Sequence, residues 1–379
     1  MGGLAEPRRR IAAARHLHDA PDRPQGSRDG LAVSDLMSFR IAVIGCGLIG
    51  TRRACAAAQH PSSHLAAVVD SNAERRALLA ATHRCRSVET WEEVIDDRSI
   101  DIVVVSTPNG LTAEIGVAAL HAGKHILVEK PPGRTVQEAQ HLASAARQAN
   151  RVLKIGFNHR YHPAISRAYR LFSQGKIGKI INLRARYGHG GRPGYEKEWR
   201  GDPVQAGGGE LTDQGVHVVD LIRWFAGQPA EAIALLQTAV WPLQPLEDNA
   251  VCLLRFSEGA LASFHTSWTQ WKNLFSFEVF GTLGALSIEG LGGSYGVERL
   301  VTAIRNPGGG VPVMEEECFD GPDVSWEREW DEFMGAVEGG QTYWGTPEDG
   351  VGAMAVIDTL YRSSRTGTLE RIAAECVSV

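Results

Sequence analysis

Phe39–Gly50 reads FRIAVIGCGLIG, and the order of residue types in it decides the fold. Phe39–Ile44 is an almost unbroken apolar run, the pattern of a short strand buried on both faces. Gly45, Gly47 and Gly50 follow at once, and an alanine-rich helical stretch continues to Ala58. Strand, G-x-G-x-x-G turn and helix in succession make a dinucleotide-binding loop. Gly45 permits the tight turn, Gly47 lets the backbone approach a pyrophosphate, and Gly50 lets helix and strand pack closely. The helix start, at Leu48 and Ile49, offers unpaired N–H groups to the phosphates. A second apolar run, Leu65–Val69, closes on Asp70. An acid about 20 residues past the glycines accepts hydrogen bonds from the adenosine ribose and repels a 2′-phosphate, which favours NAD over NADP. Arg75 and Arg76, just beyond, read as a solvated helix face.

Outward from this loop the pattern repeats. Ile102–Ser106 and His125–Val128 are further apolar strands, Val152–Phe157 is another, and helical stretches separate them. Apolar strands alternating with helices predict a doubly wound parallel sheet over residues 39–157. Beyond it, Ile180–Tyr187, Ala250–Phe256, Ala260–Thr269 and Phe275–Phe280 alternate polar and apolar residues, with helices at His162–Gln174, Asp213–Phe225, Trp326–Val337 and Pro347–Arg362. Residues 158–379 are therefore expected to form an α+β domain with a large, mostly antiparallel open sheet. Residues 1–38 are rich in Arg, Pro, Gly and Asp and lack the apolar stretch of a secretion signal. They predict a disordered tail, or an upstream start codon with the true start at Met37.

Bulk properties narrow the class. The 379 residues carry 43% hydrophobic and 22% charged residues, enough for two ordinary globular domains. A net charge of −5 argues against nucleic acid as the partner. No apolar run is long enough to cross a bilayer. The six scattered cysteines lack C-x-x-C spacing, so neither a metal cluster nor a disulfide framework is expected, and a reducing cytoplasm suits them.

Two segments carry chemistry. Glu129-Lys130-Pro131 sits at the carboxyl end of a parallel strand, the edge where ligands gather in doubly wound sheets. A lysine there reaches a substrate hydroxyl, and the proline fixes its turn, with a cis bond as one way to do so. Gly207–Asp220 reads GGGELTDQGVHVVD. Thr212 or Asp213 can cap its helix, and the i, i+4 spacing of Asp213 and His217 puts carboxylate and imidazole on one face. Such a pair suits a base that removes a proton from a secondary alcohol. Asn158, Arg160 and Tyr161 follow the last parallel strand and are expected to face the cleft. Trp199 and Arg200, in a polar loop, suit stacking on a sugar and a forked grip on an anion. Trp268 and Trp271 read as packing or oligomer contacts.

Taken in order, GCGLIG, TPN, EKPP, GFNHRYHP and GGGELTDQGVHVVD resemble the Gfo/Idh/MocA oxidoreductases from Phe39 to the C-terminal helices. The resemblance implies hydride transfer between NAD(P) and a sugar, sugar derivative or cyclitol, with dimers or tetramers formed through the open sheet. By similarity Lys130, Asp213 and His217 match the catalytic residues. Ser106, Thr107, Pro108, Asn109 and Glu129 match the surroundings of the nicotinamide. Thr112 departs from the pattern, since many relatives carry histidine there. Two alternatives on the same fold are an NAD-dependent glycosidase acting by transient oxidation and a non-catalytic NAD-binding regulator.

Overall fold

A computed structural model of the protein describes residues 38–373; the expectations for the N-terminal tail lie outside them. Strands β1 (Phe39–Ile44), β2 (Ser63–Val69), β3 (Arg86–Val88), β4 (Ile102–Val105), β5 (His125–Glu129) and β6 (Leu153–Gly156) form a parallel sheet in the order β3-β2-β1-β4-β5-β6. The crossovers are α1 (Leu48–Gln59), α2 (Ala73–His83), α3 (Trp91–Asp96), α4 (Asn109–His121) and α5 (Val136–Ala149). Ile102–Val105 are wholly buried, because helices cover both faces, and this is why the strands read as continuous apolar runs. β3 is too short and too exposed to leave such a trace. The winding reverses between β1 and β4, which are direct neighbours, and a crevice opens there at the carboxyl ends of the strands.

The remaining elements are α6 (Pro163–Ser173), β7 (Ile180–Gly188), α7 (Pro203–Ala206), α8 (Val216–Ala226), β8 (Glu231–Gln237), β9 (Asn249–Arg255), β10 (Leu261–Ser267), β11 (Leu274–Gly281), β12 (Gly284–Glu289), β13 (Glu298–Ile304), β14 (Val313–Phe319), α9 (Ser325–Gly339), α10 (Pro347–Thr366) and β15 (Glu370–Arg371). Nine strands pair in the order β14-β13-β12-β11-β7-β10-β9-β8-β15. All neighbours are antiparallel except β7 and β10, which lie parallel in the middle of the sheet. Four of the nine match the alternating segments read from the sequence; β8 and β12–β15 add to them. One face packs on the helices, so Leu183, Ala185 and Tyr187 of β7 are buried between exposed Arg184 and Arg186.

Two long-range contacts tie this sheet's helices to the first sheet. Trp326, Trp330, Phe333 and Met334 of α9 share one apolar cluster with Ile41, Val43, Val104 and Leu127. Beside them the fully buried Arg53 of α1 pairs with Glu129 at the end of β5 and with Glu329 of α9, the latter at 2.6 Å. A guanidinium between two carboxylates is the arrangement that makes burial of these charges tolerable.

Candidate active site

The glycine loop is built as its sequence requires. Gly45 has φ +97°, and a Cβ there would meet the Ser106 carbonyl oxygen at 2.5 Å. Ser106 Oγ donates to Gly45 O at 2.9 Å and holds the turn against β4. A Cβ on Gly50 would run into Gly45 O, so glycine there is a packing requirement. Gly47 differs: a Cβ would meet no protein atom within 4 Å, and α1 begins there without a side-chain cap. The space beside Gly47 and the free N–H groups of the first turn form a cradle for a phosphate. Asp70 accepts from Cys46 N at 2.7 Å and Asn72 N at 2.8 Å, which fixes its carboxylate beside the loop. Arg76 donates to the Asp70 carbonyl at 3.1 Å, while Arg75 is exposed. Thr107 Oγ1 is buried and has no hydrogen-bond partner among the described residues, an orphaned group that a bound ligand would satisfy. The glycine loop, Asp70 and the orphaned Thr107 hydroxyl are chemically suited to hold NAD.

The Lys–Asp–His constellation assembles, with one correction. Lys130 follows β5, and the Lys130–Pro131 peptide is cis. Its Nζ donates to the Asp213 carbonyl at 2.5 Å and to Asp213 Oδ1 at 3.1 Å. The other oxygen, Asp213 Oδ2, accepts from Arg200 Nε at 3.0 Å. Asp213 is thus occupied by two cations, and no hydrogen bond joins it to His217 among the described residues. The reason is local. Leu211–Gly215 is a π-helical turn before α8, so the i, i+4 stacking of an ordinary helix does not apply across it. The same turn removes the expected cap, since Thr212 Oγ1 contacts the Tyr361 hydroxyl at 3.0 Å instead. Insertions of this kind recur at functional sites because they aim one side chain away from the helical stripe.

Burial would raise the Asp213 carboxyl, but Lys130 and Arg200 outweigh it and hold the group well below the usual carboxylate range. Asp213 is therefore an anion between two cations. His217 is pushed well below the ordinary imidazole value by burial, reinforced by His159 and Lys130, so it is a neutral base. Glu210, three residues before Asp213, is fully buried, and neither carboxyl oxygen has a hydrogen-bond partner among the described residues. Burial, with Asp213 and Glu247 nearby, drives its carboxyl well above the ordinary value.

The other expected contacts divide. Trp199 and Arg200 lie at the site, in a loop held by cations on aromatic rings: Arg200 sits 4.4 Å above the Trp199 ring and Arg192 4.8 Å above Tyr195. Asn109 Nδ2 and Arg134 Nη1 tie this loop to the first sheet through Ala206 O (2.8 Å) and Val204 O (2.9 Å). Asn158, Arg160 and Tyr161 do not face the cleft. Arg160 is buried in a pair with Asp220 (2.5 Å) and Asp349 (3.0 Å), and Tyr161 bonds Lys154 and Glu332. Asn158 donates to Ser325 Oγ at 3.0 Å. A single turn of 3-10 helix over Asn158–Tyr161 rotates all three into the protein. Glu129 is taken by Arg53 and positions its neighbour Lys130. Thr112 is buried within α4. Trp268 is a packing residue against Tyr195, whereas Trp271 is exposed. Arg53, His159 and Glu210 lie beside these residues without belonging to the motif positions; His159 falls inside the GFNHRYHP segment and Glu210 inside GGGELTDQGVHVVD, whereas Arg53 carries no local sequence mark.

Comparison with known proteins decides the lineage. Residues 39–157 match the family model described as an oxidoreductase family with an NAD-binding Rossmann fold, and residues 165–287 match the GFO/IDH/MocA C-terminal domain. The protein is a Gfo/Idh/MocA oxidoreductase. Among curated relatives in this family, the 1,5-anhydro-D-fructose reductase of Ensifer adhaerens is 32% identical over 339 residues, covering 88% of this chain and 98% of the relative. Levoglucosan dehydrogenase of Pseudarthrobacter phenanthrenivorans is 30% identical over 66% of this chain and 73% of its own length. The solved structure of GenD2 from gentamicin A biosynthesis, in complex with NAD, shares 26% identity with TM-score 0.78, covering 93% of this chain and 99% of that one. As a member of the family, the chain is an NAD(P)-dependent oxidoreductase.

Proposed function

We propose that the protein is a cytoplasmic dehydrogenase or reductase that interconverts a secondary alcohol and a ketone on a sugar, sugar derivative or cyclitol, with NAD preferred through Asp70. The observation that carries this reading is Lys130 Nζ on Asp213 at 3.1 Å, one turn before a neutral His217, at the strand edge beside the glycine cradle. The relatives' names support the substrate class, since they act on an anhydro-sugar, on levoglucosan and on inositols.

Gly45, Gly47 and Asp70 would hold NAD, which would supply the hydride acceptor for the carbinol carbon. His217 takes the hydroxyl proton as the C–H bond breaks, and Lys130 Nζ hydrogen-bonds the same oxygen and offsets its developing negative charge. Asp213 holds Lys130 in reach and keeps Arg200 over the substrate space. Trp199 supplies an apolar face for a sugar ring. The reverse reaction uses the same groups, with His217 returning the proton.

An NADH-fluorescence screen across free sugars, anhydro-sugars, amino sugars and cyclitols tests the reading. NADH formation with at least one of them is expected, and Lys130→Met should lower kcat by about 10² or more while leaving NADH affinity intact. Turnover unchanged in Lys130→Met would refute the assignment, and aglycone release without net NADH would favour a glycosidase.

The assembly we infer is a homodimer or homotetramer through the outer face of the nine-stranded sheet. Leu235, Val251, Leu253 and Leu261 are exposed there on neighbouring strands, an apolar stripe larger than isolated surface residues account for.

A further inference from the structure

Asp213 has both oxygens committed to Lys130 and Arg200 and does not hold His217. Its ring is buried, and Nδ1 has no hydrogen-bond partner among the described residues. The contact that defines the ring plane is His159, whose imidazole lies parallel to it at 18° with 3.7 Å between centroids. Phe157 and Tyr187 meet His217 edge-on at 6.4 and 6.5 Å and border its rim, while His159 alone among these rings covers its face.

The state of His159 follows from a hydrogen-bond chain with a fixed direction. Asp323 has its carboxyl held low and accepts from Ser325 Oγ at 2.6 Å. Ser325 Oγ, having spent its proton, accepts from Asn158 Nδ2 at 3.0 Å. Asn158 must then turn Oδ1 towards His159 Nδ1, at 3.1 Å, and Nδ1 carries the proton. His159 Nε2 is left a bare lone pair, buried and without a partner among the described residues. The ring is neutral and cannot readily take a second proton. Burial disfavours its charged form, and the positive charge of Lys130 adds to that effect.

We propose that His159 is the positioning residue for His217: a tautomer-locked, neutral imidazole whose face fixes the plane of the catalytic ring. Two stacked imidazolium rings at 3.7 Å would repel, so only one ring of the pair carries the extra proton at a time. The asymmetry set by Asp323, Ser325 and Asn158 assigns the proton to one ring of the pair. The inference rests on the dehydrogenase reading, in which His217 is the base.

The test compares His159→Leu with His159→Phe. Both fill the cavity with apolar atoms, but only phenylalanine offers a flat face. With the substrate found by the sugar screen, His159→Leu should lower kcat about tenfold or more, with KM and NADH affinity changed less than twofold, because misorientation affects the transition state rather than binding. His159→Phe should recover most of kcat. In a substrate-free arm, the His217 ring C–H resonance should broaden or split in His159→Leu and stay single in wild type and His159→Phe. Equal kcat in wild type and His159→Leu, equal losses in the two variants, or a single sharp resonance in all three would overturn the proposal. A wild-type protein inert on every sugar would overturn the dehydrogenase reading instead, and the resonance arm would still decide the role of His159.

Discussion

Glu210 and Asp213 are two carboxyls on one short segment whose surroundings push them apart. Asp213 faces Lys130 and Arg200 and stays ionised. Glu210 is wholly buried beside Asp213 and Glu247, which outweigh the pull of Lys130, so its proton is retained far above the ordinary glutamate value of about 4.3. The consequence for stability has a definite sign. The native state binds a proton that the unfolded chain releases, so the associated stability is complete below about pH 4.3 and is lost as pH rises towards the raised native value. Glu210→Gln, a neutral isostere, removes this dependence. Urea unfolding between pH 5 and pH 8 should show wild type losing stability relative to Glu210→Gln by up to about 1.4 kcal/mol per pH unit. Parallel curves for the two proteins would place the carboxylate in contact with a compensating partner.

At the scale of the element, the glycine loop separates two uses of one residue type. Gly50 is required by packing, because its Cβ would strike Gly45 O, while Gly47 borders open space. Gly50→Ala should therefore lower Tm, since the helix cannot close on the turn. Gly47→Ala should leave Tm of the ligand-free protein within a degree or two and raise the NADH Kd by about tenfold, since the methyl enters space meant for phosphate oxygens. Thermal melts with and without NADH distinguish the two, and unchanged NADH affinity in Gly47→Ala would remove the cradle from the binding site. The π turn at Leu211–Gly215 is the other decisive element. It turns Asp213 towards Lys130 and Arg200 and leaves His217 to face His159.

At the scale of the molecule, α9 returns from late in the chain to cover the first sheet, and Arg53 joins it to the strand that carries Lys130. Lys130 is thus positioned by residues that lie far apart in sequence. The nine-stranded sheet, in contrast, leaves its outer face uncovered. Leu235 is 73% and Leu253 53% exposed. If that face joins copies, Leu253→Asp should reduce the molar mass measured by light scattering to that of a monomer near 41 kDa, because burying an unpaired carboxylate in an apolar interface costs several kcal/mol. A monomeric wild type would exclude the assembly.

What the sequence by itself determined was set by local periodicity and backbone rules. FRIAVIGCGLIG demands strand, turn and helix; Asp70 is spaced to follow; and Lys130, Asp213 and His217 stand out as candidates because their motifs occur in a fixed order. The alternating strands β7, β9, β10 and β11 were legible for the same reason, since one face of each is buried. The tertiary structure alone decided which side chains meet. Arg160 and Tyr161 look like cleft residues until Asp220, Asp349 and Glu332 arrive from distant elements to claim them. The Asp213–His217 pairing looks secure until one π turn changes the phase of the helix. Partners drawn from remote segments carry no mark in local sequence, and burial makes their pairing compulsory, because a charged group removed from water must find its counter-charge wherever the fold provides it.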